Sequence, residues 1–182
     1  MSESSSVSSK LRELLPQLFE KTQIRGDRYL RFQLNSELTT LISIDYVTES
    51  LIIDRDKITP VPKMSPFVMG VINSRDRVFF VIDLPLLLDL TPIPSYARES
   101  HLIVINVASF LDNKSSELWL GLAIDKIQGI TRTEKKPEKY YPFSSSFSEQ
   151  EQCLLEYING WIIDESQTLA VLDLAKIVKK SF

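Results

Sequence analysis

Hydrophobic positions along most of this chain recur with a period of two, broken by polar turns. YLRFQL (29–34) alternates Leu30, Phe32 and Leu34 with Tyr29, Arg31 and Gln33, which is the pattern of a half-buried strand. Asn35 and Ser36 turn into LTTLISI (38–44), and SLIIDR (50–55) is a further strand. FVMGVIN (67–73) and RVFFVID (77–83) read as strands joined by Ser74-Arg75-Asp76. LIVINV (102–107), LWLGLAI (118–124), IQGITRT (127–133), LEYINGWII (155–163) and TLAVLD (168–173) complete the set. A helical period appears in KLRELLPQLFEKTQ (10–23), where Leu11, Leu14, Leu15, Leu18 and Phe19 share one face. Pro16 removes a backbone donor there and should kink or split the helix. Short strands at close spacing with little helix predict a mainly β chain built from barrels rather than an open α/β sheet.

The pattern also repeats itself. PFVMGVINSRDRVFFVIDLPLLL (66–88) aligns without a gap on EYINGWIIDESQTLAVLDLAKIV (156–178). At an offset of 90, Gly70 falls on Gly160, Ile72 on Ile162, Val81 on Val171, Asp83 on Asp173 and Leu84 on Leu174. Upstream, Ile44-Asp45 matches Ile124-Asp125. Two copies of one unit predict two five-stranded barrels with a seam between them, and such seams are good places to bind a partner. TPVPKMSP (59–66) holds three prolines and cannot be a central strand. The proline-rich TPIPSYARES (91–100) is the expected subdomain boundary, with the seam at 91–101. EKKPEKYYPFSSSFSEQEQ (134–152) is polar and reads as a long loop. Residues 1–27 are expected to form a serine-rich disordered tail plus the amphipathic helix, and 28–180 the folded body.

Composition narrows the partners. A net charge of −3 and a pI near 5.3 do not supply the basic surface a nucleic acid demands. Cys153 is the only cysteine and cannot make an internal disulfide, which fits a reducing cytoplasm. MSESSSVSSK carries no apolar signal region. The most apolar stretch, VFFVIDLPLLLDL (78–90), is interrupted by Asp83 and Pro85 and is too short to insert into a bilayer.

Candidate chemistry is sparse. Asp83 and Asp173 stand at equivalent places in the two copies, the logic by which two-lobed aspartic proteases share a proton. The residues that follow, Leu84-Pro85 and Leu174-Ala175, lack the small hydroxyl residue and glycine of that arrangement. Each aspartate reads better as a helix cap. Asp45 and Asp125 read as turn or strand-edge residues. His101 is the only histidine, and no local motif couples it to Cys153 or a serine. One His and one Cys do not make an ordinary zinc site, and the five glycines form no phosphate-cradling loop. Trp119, Trp161, Tyr140 and Tyr141 read as packing aromatics, with Trp161 the one left open, because it follows the repeat's glycine where Val71 stands in the first copy. The expectation is a protein that binds proteins, with no catalytic residues, metal or cofactor.

FVMGVINSRDRVFFVIDLPLLLDL resembles the signature of the CheW family, adaptors that couple chemoreceptors to the histidine kinase CheA. Gly70, Val71, Asn73, Arg75, Val81, Ile82, Asp83 and Leu84 match its glycine turn and its Ile-Asp-Leu strand end. LGLAIDKIQGI (120–130) and YVTESL (46–51) resemble two further family segments, and the resemblance covers about 28–178. It implies two intertwined SH3-like five-stranded barrels, no enzymatic activity and no cofactor. It implies a CheA-type kinase docked on an edge containing Val47, Glu49, Ser50 and Leu51. It also implies a chemoreceptor's cytoplasmic hairpin tip received near Gly70, Asn73 and Arg75, in a groove between the barrels. The setting would be cytoplasmic, recruited to membrane-bound receptor arrays controlling flagellar or pilus-driven movement such as phototaxis. Two departures stand out. Asp76 replaces the family's turn glycine and is placed to pair with Arg75 or Arg77, and Phe80 replaces a proline. The N-terminal helix lies outside the family unit, either packing on the barrel or docking on a kinase or second copy. The alternative is a ligand-binding or hydrolytic domain using Asp83 and Asp173 across the seam.

Overall fold

Alternating strands need partners on both sides, and this chain supplies them by exchange between its repeats. The computed structural model describes residues 26–36, 38–94, 96–111, 117–139, 149–164 and 167–182. The amphipathic segment 10–23 and Tyr140 and Tyr141 lie outside the described residues. The strands are β1 (Asp27–Gln33), β2 (Thr39–Ser43), β3 (Val47–Asp54), β4 (Val68–Ser74) and β5 (Arg77–Asp83). The second copy supplies β6 (Glu99–Asn106), β7 (Trp119–Ile124), β8 (Lys126–Thr133), β9 (Ile158–Asp164) and β10 (Gln167–Leu172). Short helices α1 (Leu84–Leu87) and α3 (Leu174–Ser181) follow β5 and β10, and α2 (Glu149–Leu154) precedes β9. The expected strands are all present, with ends shifted by up to three residues. The loop expected over 134–152 contains the start of α2.

One sheet runs β8-β1-β2-β10-β9 and the other β3-β6-β7-β5-β4. Each therefore takes two strands from one repeat and three from the other. The chain crosses between sheets after β2, through the turn at Ile44–Tyr46, and again between β7 and β8. The proline-rich connection over 91–98 divides the repeats, yet both strands it joins, β5 and β6, lie in the same sheet. Short cross-links close each sheet into a barrel. Thr59 and Val71 exchange backbone hydrogen bonds at 2.8 and 2.9 Å, and Glu138 and Trp161 do so at 2.8 Å. Val71 and Trp161 are themselves equivalent at the offset of 90.

The repeat is exact in register. Gly70 faces Val81 as Gly160 faces Val171, and Val81 faces Gly121 as Val171 faces Leu41. Each β4-type strand carries a bulge just before its glycine, and β3 and β8 each carry one at Thr48 and Gln128. The repeated glycines have a steric cause. The closing strand crosses directly above them, and a Cβ on Gly70 would lie 2.2 Å from the Thr59 carbonyl oxygen. A Cβ on Gly160 would lie 2.7 Å from that of Glu138. Gly70 also has φ of 148°, which L side chains avoid.

The largest apolar cluster fills the seam between the barrels. Leu30, Phe32 and Ile42 of the first sheet join Ile82, Ile103, Ile105 and Leu120 of the second, together with Leu174 and Ile177 of α3. Smaller clusters fill the interiors: Tyr29, Leu41, Ile162, Leu169 and Val171 in the first barrel, and Ile72, Phe79, Val81, Leu102 and Val104 in the second. Strands β6 and β7 are buried on both faces for this reason.

Candidate functional site: an edge strand and a charged turn

Strand β3 is an edge in its sheet, and among the described residues it is hydrogen-bonded along its length only to β6. Its side chains alternate: Val47, Glu49 and Leu51 are half-buried, while Thr48, Ser50 and Ile52 face outward. Ile52 is 61% exposed, an apolar side chain on the outer face of an edge strand. The four residues expected to face the kinase thus divide, Ser50 outward and Val47, Glu49 and Leu51 toward the barrel.

Of the residues expected to face the receptor, Asn73 is exposed, opposite Val78, which is 69% exposed. Gly70 is buried beneath the Thr59 carbonyl and shapes the backbone rather than offering surface. Arg75 and Asp76 form a two-residue hairpin loop between paired Ser74 and Arg77. Both have positive φ, 48° and 64°, as a type I′ turn requires. Asp tolerates this conformation less well than glycine. Asp76→Gly should therefore raise stability by about 1 kcal/mol, read as a higher midpoint of denaturant unfolding with an unchanged slope.

The structure brings the two expected surfaces together. The Arg75 guanidinium lies 2.9 Å from Glu49 Oε2, and Arg77 Nη1 lies 3.5 Å from Glu49 Oε1. The Glu49 side chain is only 12% exposed, whereas that of Arg75 is 74% exposed. Arg77 also stacks on the Trp119 ring, 4.4 Å from its centroid, a cation–π contact. The arginines thus pair with Glu49 across the barrel, and Asp76 forms no ion pair among the described residues, contrary to the local pair expected. Sequence reading missed Arg77 and Trp119. Their signal was available: Arg77 starts the strand after the turn, and Trp119 starts β7, which lies beside β5.

The paired aspartates are caps. Asp83 Oδ1 accepts from the Leu86 N–H at 2.9 Å, and Oδ2 accepts from the Ile93 N–H at 3.1 Å. Asp173 Oδ1 accepts from the N–H groups of Ala175 and Lys176 at 3.0 and 3.3 Å. The backbone repeats as well: the Asp83 N–H donates to Phe67 O and the Asp173 N–H to Tyr157 O, both at 2.8 Å. The two carboxylates serve helices on different sheets, so the proton-sharing alternative has no geometric support. Burial pushes the Asp83 carboxyl above its ordinary range, opposed by the Leu86 and Ile93 N–H groups and the Arg55 charge. The folded state then binds this proton more tightly than the unfolded chain, so its contribution to stability falls as pH rises through the raised value. Asp83→Ala strands two N–H groups and should cost about 2–3 kcal/mol. Asp83→Asn keeps one acceptor and should cost less, with its deficit largest in acid and shrinking as the wild-type carboxyl ionises. Urea titrations across pH 3.5–7 check the sign.

Other candidates hold no site. His101 is half-buried on β6, and Cys153 is a half-buried thiol on α2. No group of metal-ligating side chains occurs among the described residues, and no helix there is long and apolar enough to cross a membrane.

Comparison with known proteins agrees with this architecture. Residues 28–182 match the model of the CheW-like domain. The chain is 23% identical over 139 residues to the chemotaxis protein CheW of Thermotoga maritima, covering 76% of this chain and 81% of that one. Its fold matches the crystal structure of the scaffolding protein TtCheW from Thermoanaerobacter tengcongensis with a TM-score of 0.63 at 17% identity, over 84% of this chain and 92% of that one. Ten strands exchanged between two barrels, repeated glycines under the closing strands and a family match over nearly the whole described region lead to one conclusion: the chain belongs to the CheW-like domain family.

Proposed function

We propose that this protein is a non-enzymatic scaffold of chemotaxis signalling that couples chemoreceptors to a CheA-type histidine kinase. The family match over residues 28–182 carries this reading. The edge geometry of β3 supports a kinase-facing role for Val47, Glu49, Ser50 and Leu51, because an unpaired strand edge can extend a partner's sheet. Ser50 and Ile52 supply its exposed face, while Glu49 holds the strand to the turn. The exposed Arg75 and Asn73 support a receptor-facing role for the β4–β5 hairpin, with Gly70 setting its backbone. The protein works in the cytoplasm at membrane-bound receptor arrays.

The test is a reconstituted receptor–kinase assay with Arg75→Ala. Arg77 remains beside Glu49 in this variant, so stability should change by no more than about 0.5 kcal/mol, the range of a solvent-screened surface pair. Receptor-stimulated kinase activity should drop severalfold. Wild-type stimulation with Arg75→Ala would remove the arginine from the receptor surface. Unfolding of the variant would make its role structural.

A further inference from the structure

The strands of the two barrels match, but the segments that lead into them do not. Arg31 pairs with Leu41 as Val104 pairs with Gly121, so β1 and β6 match at an offset of 73. Tyr29 opposite Ser43 is then the equivalent of Leu102 opposite Ala123. In the second barrel the linker ahead of β6 plugs one end. Ile93 is 8% exposed and joins Val81, Leu102 and Ala123 in the interior cluster. Its N–H donates to Asp83 Oδ2 at 3.1 Å, while Oδ1 accepts the cap bond from Leu86.

In the first barrel a pocket of about 210 Å³ lies at the equivalent place. It is lined by Tyr29, Ser43, Val171 and Asp173, the counterparts of Leu102, Ala123, Val81 and Asp83. Tyr46 and Phe110 line it too, their ring centroids 5.3 Å apart, and Tyr46 is 46% exposed. Asp173 Oδ1 accepts both cap bonds. Among the described residues no N–H donates to Oδ2, which has Lys176 Nζ 4.0 Å away. The described chain begins at Gly26, three residues before Tyr29, with 25 residues ahead of it. At the offset of 73 the counterpart of the linker 91–98 is 18–25, LFEKTQIR. Phe19 stands one place before the counterpart of Ile93.

We propose that this pocket is the docking site of the chain's own segment 18–25. The Phe19 ring fills it as Ile93 fills the other barrel, and a backbone N–H of the segment donates to Asp173 Oδ2. The repeat names the occupant, and the start of the described chain supplies the reach. Seven residues separate Phe19 from Gly26 and can span about 23 Å when extended. A phenyl ring suits a wall of Tyr29, Tyr46 and Phe110, where rings can meet edge to face. Tyr46 immediately precedes β3, so the docked segment borders the edge proposed to meet the kinase. The docking itself does not depend on that edge binding a kinase.

The test is NMR on the folded full-length protein with ¹³C-labelled methyl groups. Phe19 ring protons should give nuclear Overhauser effects to the Val171 and Leu174 methyls. Phe19→Ala should shift the Val171 and Leu174 signals and lower the melting temperature by several degrees, and Phe19→Leu should keep methyl contacts with Val171. One amide in 18–25 should exchange slowly with solvent. Asp173→Asn keeps the capping oxygen and replaces the other by an amide group, and it should speed that exchange at least tenfold. Mixing labelled with unlabelled protein separates sources: contacts within one molecule support the chain's own segment, and contacts only between molecules assign the pocket to a second copy and overturn the proposal. Contacts to Val171 from a different segment in place of Phe19 overturn it as well. So does the absence of any Phe19 contact in the folded wild type, or unchanged amide exchange in folded Asp173→Asn.

Discussion

Gly70→Ala should destabilise the protein by about 3 kcal/mol, and Gly160→Ala should do so by less. The order follows from geometry. A methyl at residue 70 would sit 2.2 Å from the Thr59 carbonyl oxygen, against 2.7 Å from the Glu138 oxygen at residue 160. Both neighbours are backbone atoms tied by paired hydrogen bonds to Val71 and Trp161, so neither can move without opening a barrel. Positive φ at both positions adds backbone strain. Gly129→Ala is the control. It shares a positive φ of 137° but has open space around the added carbon, and it should cost only the strain, about 1 kcal/mol. Guanidinium unfolding of the three variants separates steric crossing from backbone preference. Equal losses at 70 and 129 would mean that the closing strand is not what selects glycine.

Glu49→Lys should have the largest effect at the charged turn. It replaces two ion contacts with three clustered cations in a position that is mostly shielded from solvent. Stability should fall by about 2 kcal/mol, between the cost of breaking a buried pair and that of a screened surface pair. Affinity for the kinase regulatory domain should fall at least tenfold, because the cations push the turn away from β3 and disturb the edge. Glu49→Gln keeps the shape and one acceptor, and it should show less than half of each effect. Calorimetric titration and denaturant unfolding of the same preparations test both. Undiminished kinase affinity in a folded Glu49→Lys variant would show that the ion cluster does not support the docking edge.

The sequence was most legible where one residue's environment is local. Alternation placed the strands because half-buried pleats demand it, and the matched Asp83 and Asp173 announced helix caps since a cap needs only its own next turn. The repeat announced two barrels. What it left hidden was the exchange of strands: β3 pairs with β6 of the other copy, and nothing in the period of either strand encodes its partner. Leu41 and Gly121 match at 80, Gly70 and Gly160 at 90, so the second copy carries ten extra residues between β8 and β9. The Glu49 cluster was hidden for the same reason. Residues 49, 75 and 119 are distant in the chain and meet only because β3, the β4–β5 hairpin and β7 close one barrel. Reading Arg75 as a free turn cation captured its exposure and missed its tether.

The most direct measurement is calorimetric titration of the wild-type protein with the CheW-like regulatory domain of a CheA-type kinase from the same source. A scaffold docking through the β3 edge predicts one-to-one binding in the micromolar range, about −8 kcal/mol. Ser50→Asp and Ile52→Asp together, on the exposed face of β3, should abolish it while leaving the fold intact. Folded wild-type protein that gives no binding heat at any temperature, and no complex by sedimentation, would contradict the coupling role.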